Sequence, residues 1–212
     1  MKRQQKGRSM AGQSQADQTL DLVFDQLGLQ GRPPHEKYAA IENIILQLQQ
    51  INQETPINIK TTGSISEKLC KFGIPSSLEE QQRAFGKNWE WVGDMLLPGH
   101  PYDIAVSVKS FKAKERLLAS GTGSLLTPTI GWGLFDDPSE WSEVRTRAYL
   151  YRGFIAIYMP QRTLEVVSRN SITVKNINDR ALLRSLADFP SDLENAIFSD
   201  QRLSGRLDVR KL

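Results

Sequence analysis

Two apolar runs that meet at Pro98-Gly99-His100-Pro101 constrain this chain more than any other stretch. They extend from Trp91 to Lys109, and the Pro-Gly-His-Pro break between them is a strong turn signal, so the segment reads as a β-hairpin. The second run alternates. Tyr102, Ile104, Val106 and Val108 fall on one face, and Asp103, Ala105, Ser107 and Lys109 on the other. A turn over 98–101 pairs Leu97 with Tyr102 and sets Asp94 opposite Ala105. Asp94 is then diagonal to Ser107 and Asp103, roughly 7–8 Å away backbone to backbone. An acid and a lysine converge on the polar side of a sheet whose other side is apolar.

The rest of the chain supplies helices around that hairpin. Residues 1–17 are polar and basic and read as a disordered tail. Leu20 to Leu27 suggest a short helix, and the spacing of Tyr38, Ile41, Ile44, Ile45 and Leu48 predicts an amphipathic helix over 35–52. Further short helices are expected over 64–72, with Ser64 as cap and Glu67 three residues on, and over 77–85. Asp137-Pro138-Ser139-Glu140-Trp141 opens a helix that places Trp141, Val144, Ala148 and Tyr151 on one face and ends at Gly153. The apolar run 154–159 reads as a strand buried on both faces, and a helix before such a strand implies a parallel crossover. Residues 164–167 and 172–174 look like short strands, 178–188 and 191–198 like helices, and 202–212 like a basic tail. The expectation is one α/β domain over 18–212, a mixed central sheet flanked by helices. It divides into an N-terminal helical layer (18–60), a core (61–160) and closing elements (161–212).

The hairpin residues resemble the PD-(D/E)xK nuclease superfamily, which includes most type II restriction endonucleases. In that family an Asp ends one strand and an acid-x-Lys tripeptide lies on the next. Asp94 matches the Asp, and Ser107-Val108-Lys109 the tripeptide. The chain departs twice: no Pro precedes Asp94, and Ser107 replaces the acid. A subgroup of restriction enzymes shares the Ser-x-Lys variant and recruits its carboxylate from the following helix. The resemblance covers about residues 60–160. It implies a restriction-endonuclease-like fold, a magnesium-dependent endodeoxyribonuclease and a homodimer that cuts double-stranded DNA at a short symmetric sequence. Two other readings share the fold: a catalytically inactive DNA-binding or scaffolding protein, and a structure-specific repair nuclease.

Phosphodiester hydrolysis needs an in-line water, neutralised charge on the phosphate and help for the leaving oxygen. A magnesium ion on one or two carboxylates supplies much of this. Asp94 is the first candidate ligand. Lys109 would orient or deprotonate the water, or stabilise developing charge. Ser107 is neutral, so another acid must compensate. Glu140 is preferred, because the helix phase turns it towards the site edge and Glu143 towards water. Asp103 on the strand and Glu67 on the upstream helix are further candidates, and Asp103 joins Asp94 and Glu140 as a possible metal ligand.

Lys112, Lys114 and Arg116 beyond the motif strand, and Arg145 and Arg147 on the following helix, would supply salt-dependent phosphate affinity. Arg162, Arg169 and Asn170 are candidates for reading base edges. The net charge of +3 permits a nucleic-acid partner without demanding one. With only two histidines a multi-histidine metal site is excluded, and a single cysteine, Cys70, excludes an intrachain disulfide and fits a cytoplasmic location. Gly121-x-Gly123 lacks the Gly-Lys-Ser/Thr of a P-loop. No apolar stretch approaches the roughly 20 residues of a membrane span.

Overall fold

The computed structural model describes residues 13–79, 81–85, 87, 92–111, 117–118 and 127–212. Four helices come first: α1 (Gln15–Gln26), α2 (Pro34–Ala39), α3 (Ile41–Glu54) and α4 (Ile59–Phe72). Ser14 caps α1 by accepting from the Asp17 N–H, so the helix begins inside the segment expected to be a tail. The helix expected over 35–52 is broken at Ala40, whose N–H turns back to the Lys37 carbonyl. The break lets two anchors bury at once. The Tyr38 hydroxyl donates to the Leu186 carbonyl at 2.9 Å, while Ile41, Ile44, Ile45 and Leu48 face the core. Asn58, not Ser64, caps α4, accepting from the Thr61 N–H at 2.8 Å. Helix α5 (Ser76–Glu79) is a single turn of the helix expected over 77–85.

The hairpin forms, with a shifted register. β1 (Met95–Leu97) is antiparallel to β3 (Ile104–Lys109), and Leu97 pairs with Ile104 rather than Tyr102. Between them β2 (Gly99–His100) leaves the sheet to pair in parallel with β7 (Leu207–Asp208). Tyr102 therefore stands in solvent instead of on the apolar face. The slip is by two residues, so every side chain keeps its face. Asp94, the residue before β1, falls level with Ser107.

A strand the sequence had hidden lies at the centre. β4 (Thr129–Gly133) runs parallel to β3 on one side and to β5 (Phe154–Met159) on the other, and β6 (Leu183–Ser185) follows β5. The sheet order is β1-β3-β4-β5-β6, with only β1 antiparallel. The sheet is thus mixed, and helices flank it. One apolar core lies under α1 to α4 and takes Val106, Val108, Trp132 and Tyr158 from the sheet. The other takes Phe135, Trp141, Tyr149, Phe154, Ile157 and Leu183.

Several expectations beyond β4 are corrected. Residues 138–141 form a 3-10 turn, and Ser142 breaks it from α6 (Glu143–Tyr151). That break resets the helix phase, so Tyr149 and Thr146 are buried while Val144 and Tyr151 are exposed. The segments 164–167 and 172–174 are not strands: residues 164–166 lie in α7 (Gln161–Val166), and Ile172 ends α8 (Arg169–Ile172). Pro160 ends β5 and opens α7, and the Ser168 side chain caps α8. The 178–188 stretch yields β6 and a 3-10 turn rather than a helix. Helix α9 (Phe189–Ala196) matches the one expected nearby. Residues 202–212 are packed: β7 pairs with β2, and Leu212 is buried, its O accepting from Asn176 and Arg184. No helix among the described residues is long and apolar enough to cross a membrane.

Candidate active site

Asp94 is fixed by backbone as much as by charge. Its N–H donates to the Val106 carbonyl at 2.8 Å, which extends the β1–β3 ladder by one step. Its Oδ2 then accepts from the Val108 N–H at 2.6 Å and from Lys109 Nζ at 3.3 Å. Lys109 Nζ also donates to the Val108 carbonyl at 3.0 Å. The pair is partly shielded, with the lysine side chain 14% exposed and the aspartate 28%. Asp94 Oδ1 takes no hydrogen bond from the described residues.

The facing wall is α4. A cleft of about 300 Å³ lies between them, lined by Lys60, Gly63, Ser64 and Glu67 from the helix and by Asp94 and Val108 to Ser110 from the sheet. Desolvation and then the negative charge of Asp94 push the Glu67 carboxyl above its ordinary value; Lys71 and Lys109 oppose the shift. A carboxyl raised by a second carboxylate across a cleft marks a place where a cation is favoured. Glu67 has no hydrogen-bond or ion-pair partner among the described residues.

The chain matches no family model, no curated protein and no solved structure.

The donor set suits a hard divalent ion. Asp94 Oδ1 and the Glu67 carboxylate are oxygen ligands with no competing partner among the described residues, and the cleft leaves room for water or phosphate oxygens. Among the described residues no group of three or more His, Cys, Asp or Glu assembles to hold a metal. An ion at this cleft would thus have two protein carboxylates and keep several other oxygens, the regime magnesium favours.

Other expected site residues lie elsewhere. Ser107 is fully buried. It does not line the cleft. Glu140 is buried in the 3-10 turn beside Trp141 and does not line the cleft either. Its surroundings are those of the second core: burial, and then the charge of Glu140, push the Tyr149 phenol well above its ordinary value, against Arg145. The break at Ser142 is why the expected helix phase failed to deliver Glu140. Asp103 precedes β3, four residues before Ser107, about 13 Å along the strand. There it accepts from the Gly99 N–H at 3.1 Å and pairs with Arg83 and Arg206, which closes the β1–β3 connection. Glu143 pairs with Arg147 at 2.9 Å.

Of the expected DNA contacts, Lys112, Lys114 and Arg116 lie outside the described residues. Arg145 donates to the Glu140 carbonyl at 3.3 Å, and Arg169 and Asn170 are exposed on α8. Arg162 lines a separate, larger pocket. Sequence reasoning ranked Glu67 last among the acids and passed over Lys60, Gly63 and Ser64. A signal was present: 60, 63, 64 and 67 share one helical face, opposite the buried Ile65 and Leu69.

Proposed function

We propose that this protein is a magnesium-dependent endodeoxyribonuclease of the PD-(D/E)xK type, acting as a type II restriction-type enzyme on double-stranded DNA. One observation carries the reading: an aspartate before one strand and a lysine on its antiparallel neighbour meet at 3.3 Å in a cleft that also holds a second, strained carboxylate. A surface ion pair needs no such third group.

Asp94 and Glu67 would hold the ion. Bound there, magnesium supplies charge neutralisation on the scissile phosphate and acidifies a water. Asp94 is held for that task by the Val108 N–H, so its free oxygen is oriented before any ligand arrives. Lys109, tethered by Asp94 and by the Val108 carbonyl, places its ammonium to orient the attacking water or stabilise charge developing on the phosphate. Glu67 takes the part that the family gives to the tripeptide's acid, and Ser107 takes none. The helix α4, upstream of the motif, thus replaces the downstream helix as the source of the missing carboxylate. A two-fold homodimer would present one such site to each strand of a symmetric sequence.

The test is cleavage of supercoiled plasmid. The protein should cut with magnesium and stop with EDTA. Lys109→Ala and Asp94→Asn should abolish cutting while leaving thermal stability and DNA retention in a gel nearly unchanged. DNA retention without cleavage in the unaltered protein would favour the inactive binding module instead. Full activity in either variant would remove the cleft from the chemistry.

A further inference from the structure

We propose that the large pocket beside the cleft is a nucleobase site that takes guanine; the nuclease reading supplies only the source of that base, a DNA strand lying in the cleft. The pocket has a volume of about 780 Å³ and shares Ile59 and Ser110 with the Asp94–Lys109 cleft. Phe111 lines it and follows Lys109 by two residues, so the two centres are joined by at most about 7 Å of backbone.

Its lining is that of a base reader. Gln49, Asn52 and Gln53 project from one face of α3, and Arg162 enters from α7. Two of these groups are committed as donors. Asn52 Oδ1 accepts from the Ile57 N–H at 2.9 Å, so its amide NH2 is the end left for a ligand. Arg162 Nη2 is buried without a partner among the described residues, a standing cost that an incoming acceptor would relieve after a small side-chain rotation. A pair of donors selects an edge with two acceptors. Guanine offers such an edge through O6 and N7; of the other bases only an unstacked cytosine does so, through N3 and O2, and it has the smaller ring face to lay on Phe111. Phe111 supplies a face on which an unstacked base can lie. Asp136, also in the wall, disfavours a bare anion. A base reaches such a pocket by leaving the stack, as enzymes that act on single bases require.

Calorimetric titration with mononucleotides in EDTA tests the pocket without calling on cleavage. dGMP should bind about tenfold more tightly than dTMP or inorganic phosphate, the scale of one good donor pair, and more tightly than dCMP, whose equal or tighter binding would overturn the choice of guanine. Asn52→Asp keeps the acceptor for Ile57 and replaces the donor, and Arg162→Lys keeps the charge and loses the fork. Each should bring dGMP down to the level of dTMP, while Lys109→Ala should leave the preference intact. Equal binding of all four mononucleotides and phosphate would overturn the proposal, as would a preference that survives both pocket variants. A protein that never cuts plasmid yet prefers dGMP would count against the nuclease and leave the pocket standing. Plasmid cutting without the preference would count against the pocket alone.

Discussion

At the scale of residues, the cleft is defined by a conflict that folding does not relieve. Glu67 sits across from Asp94, and its carboxyl is raised by desolvation and by that neighbour's charge. The folded state therefore holds a proton that the unfolded chain releases at its ordinary value of 4.5. Stability is lost as pH rises from there through the raised value, and it stays lost above. Glu67→Gln removes the conflict. In metal-free buffer the variant should melt higher than the parent at pH 7, by a small margin because the rim is solvent-screened, and the gap should close below about pH 4. Melting curves across that range check it; a gap independent of pH would show that Glu67 feels no such charge. Asp94 and Lys109 were legible in the sequence because a period of two survives a two-residue slip. Glu67 was not ranked first because its value depends on how α4 docks, which no local pattern encodes.

At the scale of elements, the strands that escaped reading did so for physical reasons. β4 carries Gly131 and Gly133, so it offers no alternation. Those glycines are demanded by neighbours: a Cβ at Gly131 would lie 3.3 Å from both branches of Ile157, and one at Gly133 would strike the Phe135 ring. Gly63 on α4 is the opposite case, since a Cβ there meets nothing within 4 Å. The contrast yields a paired prediction. Gly133→Ala should cost about 1–3 kcal/mol by overpacking against the ring. Gly63→Leu should gain up to about 1 kcal/mol of helix propensity and yet slow cleavage, because the new side chain fills the cleft. Urea melts and plasmid assays on both variants decide; a Gly63→Leu protein with full activity would mean that substrate does not enter along α4. The misread segments after β5 have a similar cause. Caps at Pro160 and Ser168 turn short apolar runs into helical turns that β-propensity alone cannot foresee.

At the scale of the molecule, the fold joins parts that are distant in the chain. The described end of the chain is locked to the sheet: Arg184 donates to Asp192 at 2.7 Å and to the Leu212 O, and β7 pins β2 beside the hairpin. The mixed sheet flanked by helices was legible from the hairpin and the helix-then-strand order. Its central strand and the packing of 202–212 were not, because both depend on long-range partners. The candidate site has the same character: α4 brings Glu67 to Asp94 and Lys109 from the hairpin. The measurement that tests this most directly is the initial rate of plasmid nicking at saturating magnesium in Glu67→Gln and Glu143→Gln. Glu143 is the fair control, an acid on the helix after the motif whose partner is Arg147. Losing a carboxylate ligand forfeits several kcal/mol of charge stabilisation, so Glu67→Gln should fall by about two orders of magnitude or more while Glu143→Gln keeps the parent rate. The reverse pattern, or parent-level nicking by Glu67→Gln, would contradict the account.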